Sequence, residues 1–146
     1  MKQKFYSYLL VFTQYIVMAV LFYLNGRFLL QIVPFGIFLL GFVIGIYAIY
    51  NNKRDNFNII PEIKDGAKLV THGMYRYIRH PMYFSVAVMA FALICYNLNM
   101  TNIFLFILMI LVLSLKAKKE ERLWKAKSSE YSRYKQQTKM IIPYIF

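Results

Sequence analysis

Acidic residues are scarce in this chain, and cysteine is nearly missing. Six Asp and Glu stand against 18 Lys and Arg in 146 residues, a formal charge of +12, and Cys95 is the only cysteine. A single cysteine excludes an internal disulfide, and with two histidines the chain has no Cys/His cluster of zinc-binding spacing. No metal site is expected. There is no Gly-rich phosphate loop, no dinucleotide-binding glycine pattern and no Ser/His/Asp order. Charge is also missing in long blocks: residues 5–26, 28–52 and 80–115 carry no Asp, Glu, Lys or Arg. A water-soluble surface cannot be built from such blocks, whereas about 20 apolar residues span the hydrocarbon core of a bilayer. Hydrophobic residues make up 60% of the chain, which excludes disorder as well.

What is present reads as an all-α integral membrane protein with about four transmembrane helices, forming one domain over 1–146. Helix 1 is expected over Phe5–Leu24, a tight turn at Asn25-Gly26-Arg27, and helix 2 over Phe28–Tyr50. Met1-Lys2-Gln3-Lys4 before an apolar stretch resembles a signal peptide, but the stretch is long and no small-x-small site follows, so a retained helix is expected. Asn51–Arg79 is a polar connection with turn signals at Pro61 and Asp65-Gly66. The block 80–115 would be about 54 Å long as one helix. Its Asn97–Asn102 segment breaks it into a hairpin, with helix 3 near Pro81–Tyr96 and helix 4 near Thr101–Leu115, both short for a full crossing. A basic, amphipathic C-terminal helix follows to about Lys135, before a tail Met140–Phe146 that folds back onto the membrane surface. Residues 1–50 form a two-helix N-terminal part, and 66–146 the part that carries the polar chemistry.

The distribution of charge orients these spans. The connection 51–79 holds six basic and three acidic residues and the tail 116–146 nine and three, while the other two loops hold only Arg27. The positive-inside rule then puts both termini and the large connection on the cytoplasmic side of the cell or inner membrane. Because the basic residues flank apolar spans, they suit topology and anionic headgroups rather than nucleic acid.

Two clusters carry chemistry. In Gly73-Met74-Tyr75-Arg76-Tyr77-Ile78-Arg79-His80-Pro81-Met82-Tyr83, Pro81 suits the first position of a helix, where its missing N–H costs nothing. His80 is held extended before it, at the helix mouth, and Arg76 and Arg79 offer planar donor forks for a carboxylate or phosphate. The same residues suit a membrane-interface anchor of snorkelling Arg and belt Tyr. In Lys116-Ala117-Lys118-Lys119-Glu120-Glu121-Arg122, two carboxylates directly follow an apolar span. They could accept from a ligand's ammonium or ribose hydroxyls, or form a solvated helix face with Glu121 and Lys125 paired one turn apart. His72 and Cys95 read as structural.

In combination, Leu69–Tyr83, a hydrophobic hairpin, Glu120-Glu121, Tyr131-x-x-Tyr134 and a final proline resemble the isoprenylcysteine carboxyl methyltransferase family, which is related to phospholipid methyltransferases. The resemblance covers about residues 66–146; helices 1 and 2 share only their apolar character. It implies an integral membrane enzyme that uses S-adenosylmethionine in a cytoplasmic pocket, with a membrane lipid or lipidated small molecule as substrate. By position it implies Leu69, Val70 and Tyr75 around the adenosine or methionine portion, and His80, Pro81, Met82 and Tyr83 as a wall. Glu120, with Glu121 beside it, would bind from the other side, and Arg79, His80 and Lys116 would stand nearest the reaction. Lys116 sits where the family often has arginine; lysine keeps the charge but not the bidentate fork. Ser85 replaces a common glycine, and Ser128-Ser129 a common Phe-Gly.

Methyl transfer from a sulfonium needs alignment and exclusion of water more than a strong base. An amine or hydroxyl acceptor would need His80 or a glutamate as general base, while a carboxylate or thiolate would not. The faces of Tyr75 and Tyr83 suit the sulfonium. The acceptor stays open among a lipid carboxylate, a phospholipid amine and a hydrophobic thiol, and the oligomeric state is open too. Membrane sterol reductases, which use NADPH, share a similar Arg-His-Pro-x-Tyr region and an Ile-Pro-Tyr ending. A non-catalytic small membrane protein is the remaining alternative.

Overall fold

The computed structural model describes residues 2–56 and 58–142, and for 2–3 and 53–55 the backbone alone. Its α-helices are α1 (Lys2–Asn25), α2 (Ile32–Asn56), α3 (Pro81–Tyr96), α4 (Met100–Lys127) and α5 (Tyr131–Gln137), with 3-10 turns at Gly26–Leu30 and Gly73–Arg76. No strand occurs among the described residues, only an isolated parallel bridge between Ile78 and Lys139. Lys4–Leu30, Ile32–Asn52 and Met100–Lys127 are long and apolar enough to cross a membrane, and α3 is a shorter apolar helix. Phe5, Phe12, Leu39, Leu40, Phe104 and Ile107 point outward, which is tolerable only against lipid. The chain is an all-α integral membrane protein, as its uncharged blocks predict.

Several boundaries differ from the sequence reading. Helix 2 does not begin at Phe28. Phe28 lies in a 3-10 turn, fully buried, with its ring 5.4 Å from Phe22 and 5.0 Å from Phe38. Burying that ring tightens the turn, Gln31 is extended, and α2 starts at Ile32. Pro34 then falls in the first turn, where an N–H has no intrahelical partner to lose. At the other end α2 runs on to Asn56, and α4 passes Leu115 without a break to Lys127. Loss of hydrophobicity marks the edge of the bilayer, but the backbone ladder needs no apolar side chains to continue. Helix α4 is therefore about 42 Å long, not short for a crossing. The tail's last residues, Pro143–Phe146, lie outside the described residues.

Helix α3, about 24 Å long, solves its length by being central. Ala90, Ala92 and Leu93 are fully buried, and α3 packs against α1, α2 and α4. Its closest approach is to α2, where Gly41 and Gly45 lie four apart. A Cβ added to Gly41 would stand 2.8 Å from Met89 Cγ, and one on Gly45 2.9 Å from Ser85 Oγ. Small residues at this spacing let membrane helices meet backbone to backbone. Ser85 is the small partner on α3, and its hydroxyl is satisfied by the Met82 carbonyl at 2.8 Å.

Far from the polar cluster, buried Asn25 and Asn102 bond each other reciprocally at 3.2 and 2.9 Å, tying α1 to α4. Asn99 caps α4 by accepting from the Asn102 N–H at 2.9 Å. These bonds hold the turn that the asparagine-rich break predicts.

Candidate active site

The Arg79–His80 segment is fixed by backbone before any side chain acts. Gly73 has φ +59, in the left-handed region, and a side chain there would run into the Asn51 amide. A 3-10 turn follows, and then residues 77–80 lie alongside 138–140. Arg79 N donates to Lys139 O at 2.9 Å, His80 N to Met140 O at 3.0 Å and Lys139 N to Tyr77 O at 3.0 Å. Tyr134 adds a bond from its hydroxyl to the Tyr75 carbonyl at 2.7 Å. Pro81 then opens α3, leaving His80 buried at its mouth.

Two carboxylates from α4 meet this segment and take different roles. Glu121 Oε1 accepts from Arg79 Nε at 2.6 Å, and Glu121 Oε2 from Lys135 Nζ at 2.6 Å. The i,i+4 pairing with Lys125 is thereby replaced by a tertiary ion pair, because this face of α4 is buried against α5. The Arg79 guanidinium also donates to the Thr138 carbonyl and, at 3.2 Å, to the Lys135 carbonyl. Glu120 instead accepts from the Tyr83 hydroxyl and lies 3.3 Å from His80 Nδ1. The His80 ring stacks on Tyr83, centroids 5.3 Å apart.

Between these groups and the end of α2 lies a cleft that is open to solvent. Leu69, Val70, Tyr75, Arg79, His80, Met82, Tyr83 and Glu120 all line it. Pro81 and Glu121 stand behind the wall rather than on it. Lining residues not expected from the sequence include Trp124, Tyr131 and Tyr134, and from α2 and the following loop Asn52, Asn56, Asn58 and Glu62. The Tyr131-x-x-Tyr134 spacing was a signal for two of them. The α2 asparagines had none, since they become neighbours only because α2 runs past the apolar block. Tyr75 Oη and Tyr131 Oη are buried with no hydrogen-bond partner among the described residues, and His80 Nε2, which makes no hydrogen bond either, lies 3.7 Å from Glu121 Oε1. Burial pushes both phenols well above their usual range, helped by the charge of Glu120 for Tyr75 and of Glu121 for Tyr131. They therefore stay neutral O–H donors.

A second, mostly apolar pocket opens between α1, α2 and α3. It shares Asn58, Met82 and Tyr83 with the polar cleft. Lys116 also lines it, almost fully buried, its Nζ 2.5 Å from Gln14 Oε1 and 5.0 Å from the Tyr83 ring centroid.

The family model for isoprenylcysteine carboxyl methyltransferases (ICMT) matches residues 32–125, well over half of the chain. The chain belongs to the ICMT family. No curated protein and no solved structure matches it. The ICMT match takes in α2 through most of α4, so it includes His80, Lys116 and Glu120 and also α2, which the sequence motifs left aside. Membership makes the protein a membrane methyltransferase by class.

His80 supplies a pH dependence for this ICMT-family protein. Burial pulls its pKa down, but the adjacent carboxylates, Glu120 and then Glu121, override this and raise it above 6.5. A raised folded pKa gives stability that is full below the unfolded value of about 6.5 and lost as pH rises through the folded value. The melting temperature in detergent is expected to fall over that interval, and His80→Gln to flatten the fall. Equal slopes for the two proteins would show that His80 is not charged in the folded state.

Proposed function

We infer that the protein transfers a methyl group from S-adenosylmethionine to the carboxylate of a membrane lipid. The observation that carries this reading is the shared wall: a polar cleft with unmatched buried donors and an apolar pocket holding one lysine meet at Met82 and Tyr83. The donor set fits the cofactor. Glu120 is a carboxylate for an ammonium or ribose hydroxyls, Tyr75 and Tyr131 offer neutral O–H groups, and Leu69, Val70 and Met82 give apolar surface. Bound there, the cofactor supplies an electrophilic methyl group on a cationic sulfonium.

The chain's own groups do the rest. Arg79 and Glu121 are positioning residues that hold His80 and the α4 turn in place. His80 and Tyr83 orient Glu120 through their hydrogen bonds. Lys116 holds the acceptor carboxylate within the apolar pocket, and Gln14 steadies the ammonium. A carboxylate acceptor is already a nucleophile, so no general base is required. Positive-inside charge favours a cytoplasmic mouth for the polar cleft, with one domain over 1–146 and lipid entering from the bilayer.

Calorimetric titration of the detergent-purified protein with S-adenosylhomocysteine tests the reading. Micromolar binding is expected, weakened at least about tenfold in His80→Ala and Glu120→Ala, the scale of a lost charged hydrogen bond. Heat with NADPH but none with S-adenosylhomocysteine would instead assign a reductase. Folded protein that binds neither would leave the non-catalytic reading.

A further inference from the structure

A third cleft, which meets the polar one at Glu62 and Ile63, lies where α1 meets α4 at the end of their apolar runs. It is open to solvent and is lined by Lys4, Glu62, Ile63, Lys119, Leu123 and Lys127. Lys119, Leu123 and Lys127 recur every four residues, so they share one face of α4. Lys4 is the last charge before the uncharged block 5–26, and Lys119 comes one turn after the block 80–115 ends. The cleft therefore lies at the depth of lipid headgroups, with two apolar side chains among its cations.

Its charge is unbalanced. Among the described lining residues Glu62 is the one carboxylate; it accepts from Ser7 Oγ at 3.2 Å and lies 3.9 Å from Lys119 Nζ. Lys119 also bonds Ser7, and Lys127 Nζ donates to the Lys64 carbonyl at 2.9 Å. Among the described lining residues, three ammonium groups stand against one carboxylate at the bilayer surface. We propose that this cleft between α1 and α4 binds the phosphate headgroup of an anionic phospholipid, with Ile63 and Leu123 against the start of its acyl chains. A zwitterionic lipid would bring no net charge to match, and a free phosphate would leave the apolar wall uncovered. Glu62 and Ile63 also line the polar cleft, so a bound lipid would brace the loop that walls the active site. The proposal does not rest on the methyltransferase reading.

The test is native mass spectrometry of the full chain released from nanodiscs containing equal phosphatidylglycerol and phosphatidylcholine. Wild type is expected to retain phosphatidylglycerol selectively. In K4Q/K119Q/K127Q the retention falls, by about fivefold for each lysine, the factor matching about 1 kcal/mol per Lys at an anionic surface. K4R/K119R/K127R keeps the charges and retains the lipid, as does K118Q/K125Q, whose lysines are exposed on α4 outside the cleft. Unchanged retention in the Gln triple overturns the proposal, as does loss in the Arg triple. Equal loss in K118Q/K125Q would show diffuse attraction and overturn it too. Displacement of the lipid by millimolar inorganic phosphate would show that the acyl wall contributes nothing, and would overturn the lipid assignment.

Discussion

Arg79→Met is expected to destabilise the protein by about 3–5 kcal/mol, the scale of removing one member of a buried ion pair. The Arg79 side chain is 7% exposed and Glu121 6%. Arg79 bonds Glu121, the Lys135 carbonyl and both the carbonyl and, at 3.3 Å, the hydroxyl of Thr138. It thus ties α3's entrance, α4 and the segment after α5 together. Methionine fills similar space but donates nothing, so two carbonyls and a carboxylate lose their partner. Lys135 cannot replace it, being half exposed and already committed to the other oxygen of Glu121. Unfolding in mixed detergent, followed by circular dichroism, measures the loss. Arg79→Met with Glu121→Leu should recover part of it, since the other cation paired with Glu121, Lys135, is half exposed and can be solvated. Arg76→Met, at an exposed neighbour, should change little. A single Arg79→Met variant as stable as wild type would mean that the ion pair does not hold this end together.

Lys116→Met is expected to lower kcat/KM for a lipid carboxylate by about 100-fold or more while leaving S-adenosylhomocysteine affinity within about twofold. Truncating one partner of a buried charge pair commonly costs 2–5 kcal/mol, which is a factor of about 30 upwards. The separation of the two effects follows from position: Lys116 lines the apolar pocket and not the polar cleft. Lys116→Arg keeps the charge and should retain most activity, with a fork that suits a carboxylate at least as well. Gln14→Leu should give a smaller loss of the same kind, since it removes only the group that holds the Nζ. Steady-state labelling of lipid carboxylates, amines and thiols by the three variants decides the acceptor. Undiminished transfer to an amine or a thiol in Lys116→Met would overturn the carboxylate reading.

Much of this protein could be read from its residues alone because the bilayer imposes a simple rule. Blocks without charge must be helices in lipid, and Pro81 with Asn97 marks both ends of α3 where the structure has them. The polar chemistry had to gather at the ends of those blocks, so the Arg79–Tyr83 and Lys116–Glu121 segments were the visible candidates. The helix ends beyond the apolar blocks were not legible, since charge signals the membrane boundary and not the end of the hydrogen-bond ladder. That misreading hid the contribution of Asn52 and Asn56. Gln14 was similarly hidden, as one uncharged polar residue in an apolar helix gives no sign of which neighbour it faces.

By itself, then, the sequence determined the membrane class, the bounds of α3 and the short list of polar residues, because these depend on local composition and on the solvent each block requires. Only the tertiary structure decided that Glu120 faces the cleft while Glu121, its neighbour in sequence, faces Arg79 and Lys135. Adjacent residues on a helix point about 100° apart, and which one meets the site depends on how α4 is rotated against α3 and α5. The same rotation puts Lys116 into the apolar pocket, and Lys119 and Lys127 into the cleft beside α1. Those assignments arise from packing between segments distant in sequence, where no local pattern carries the information.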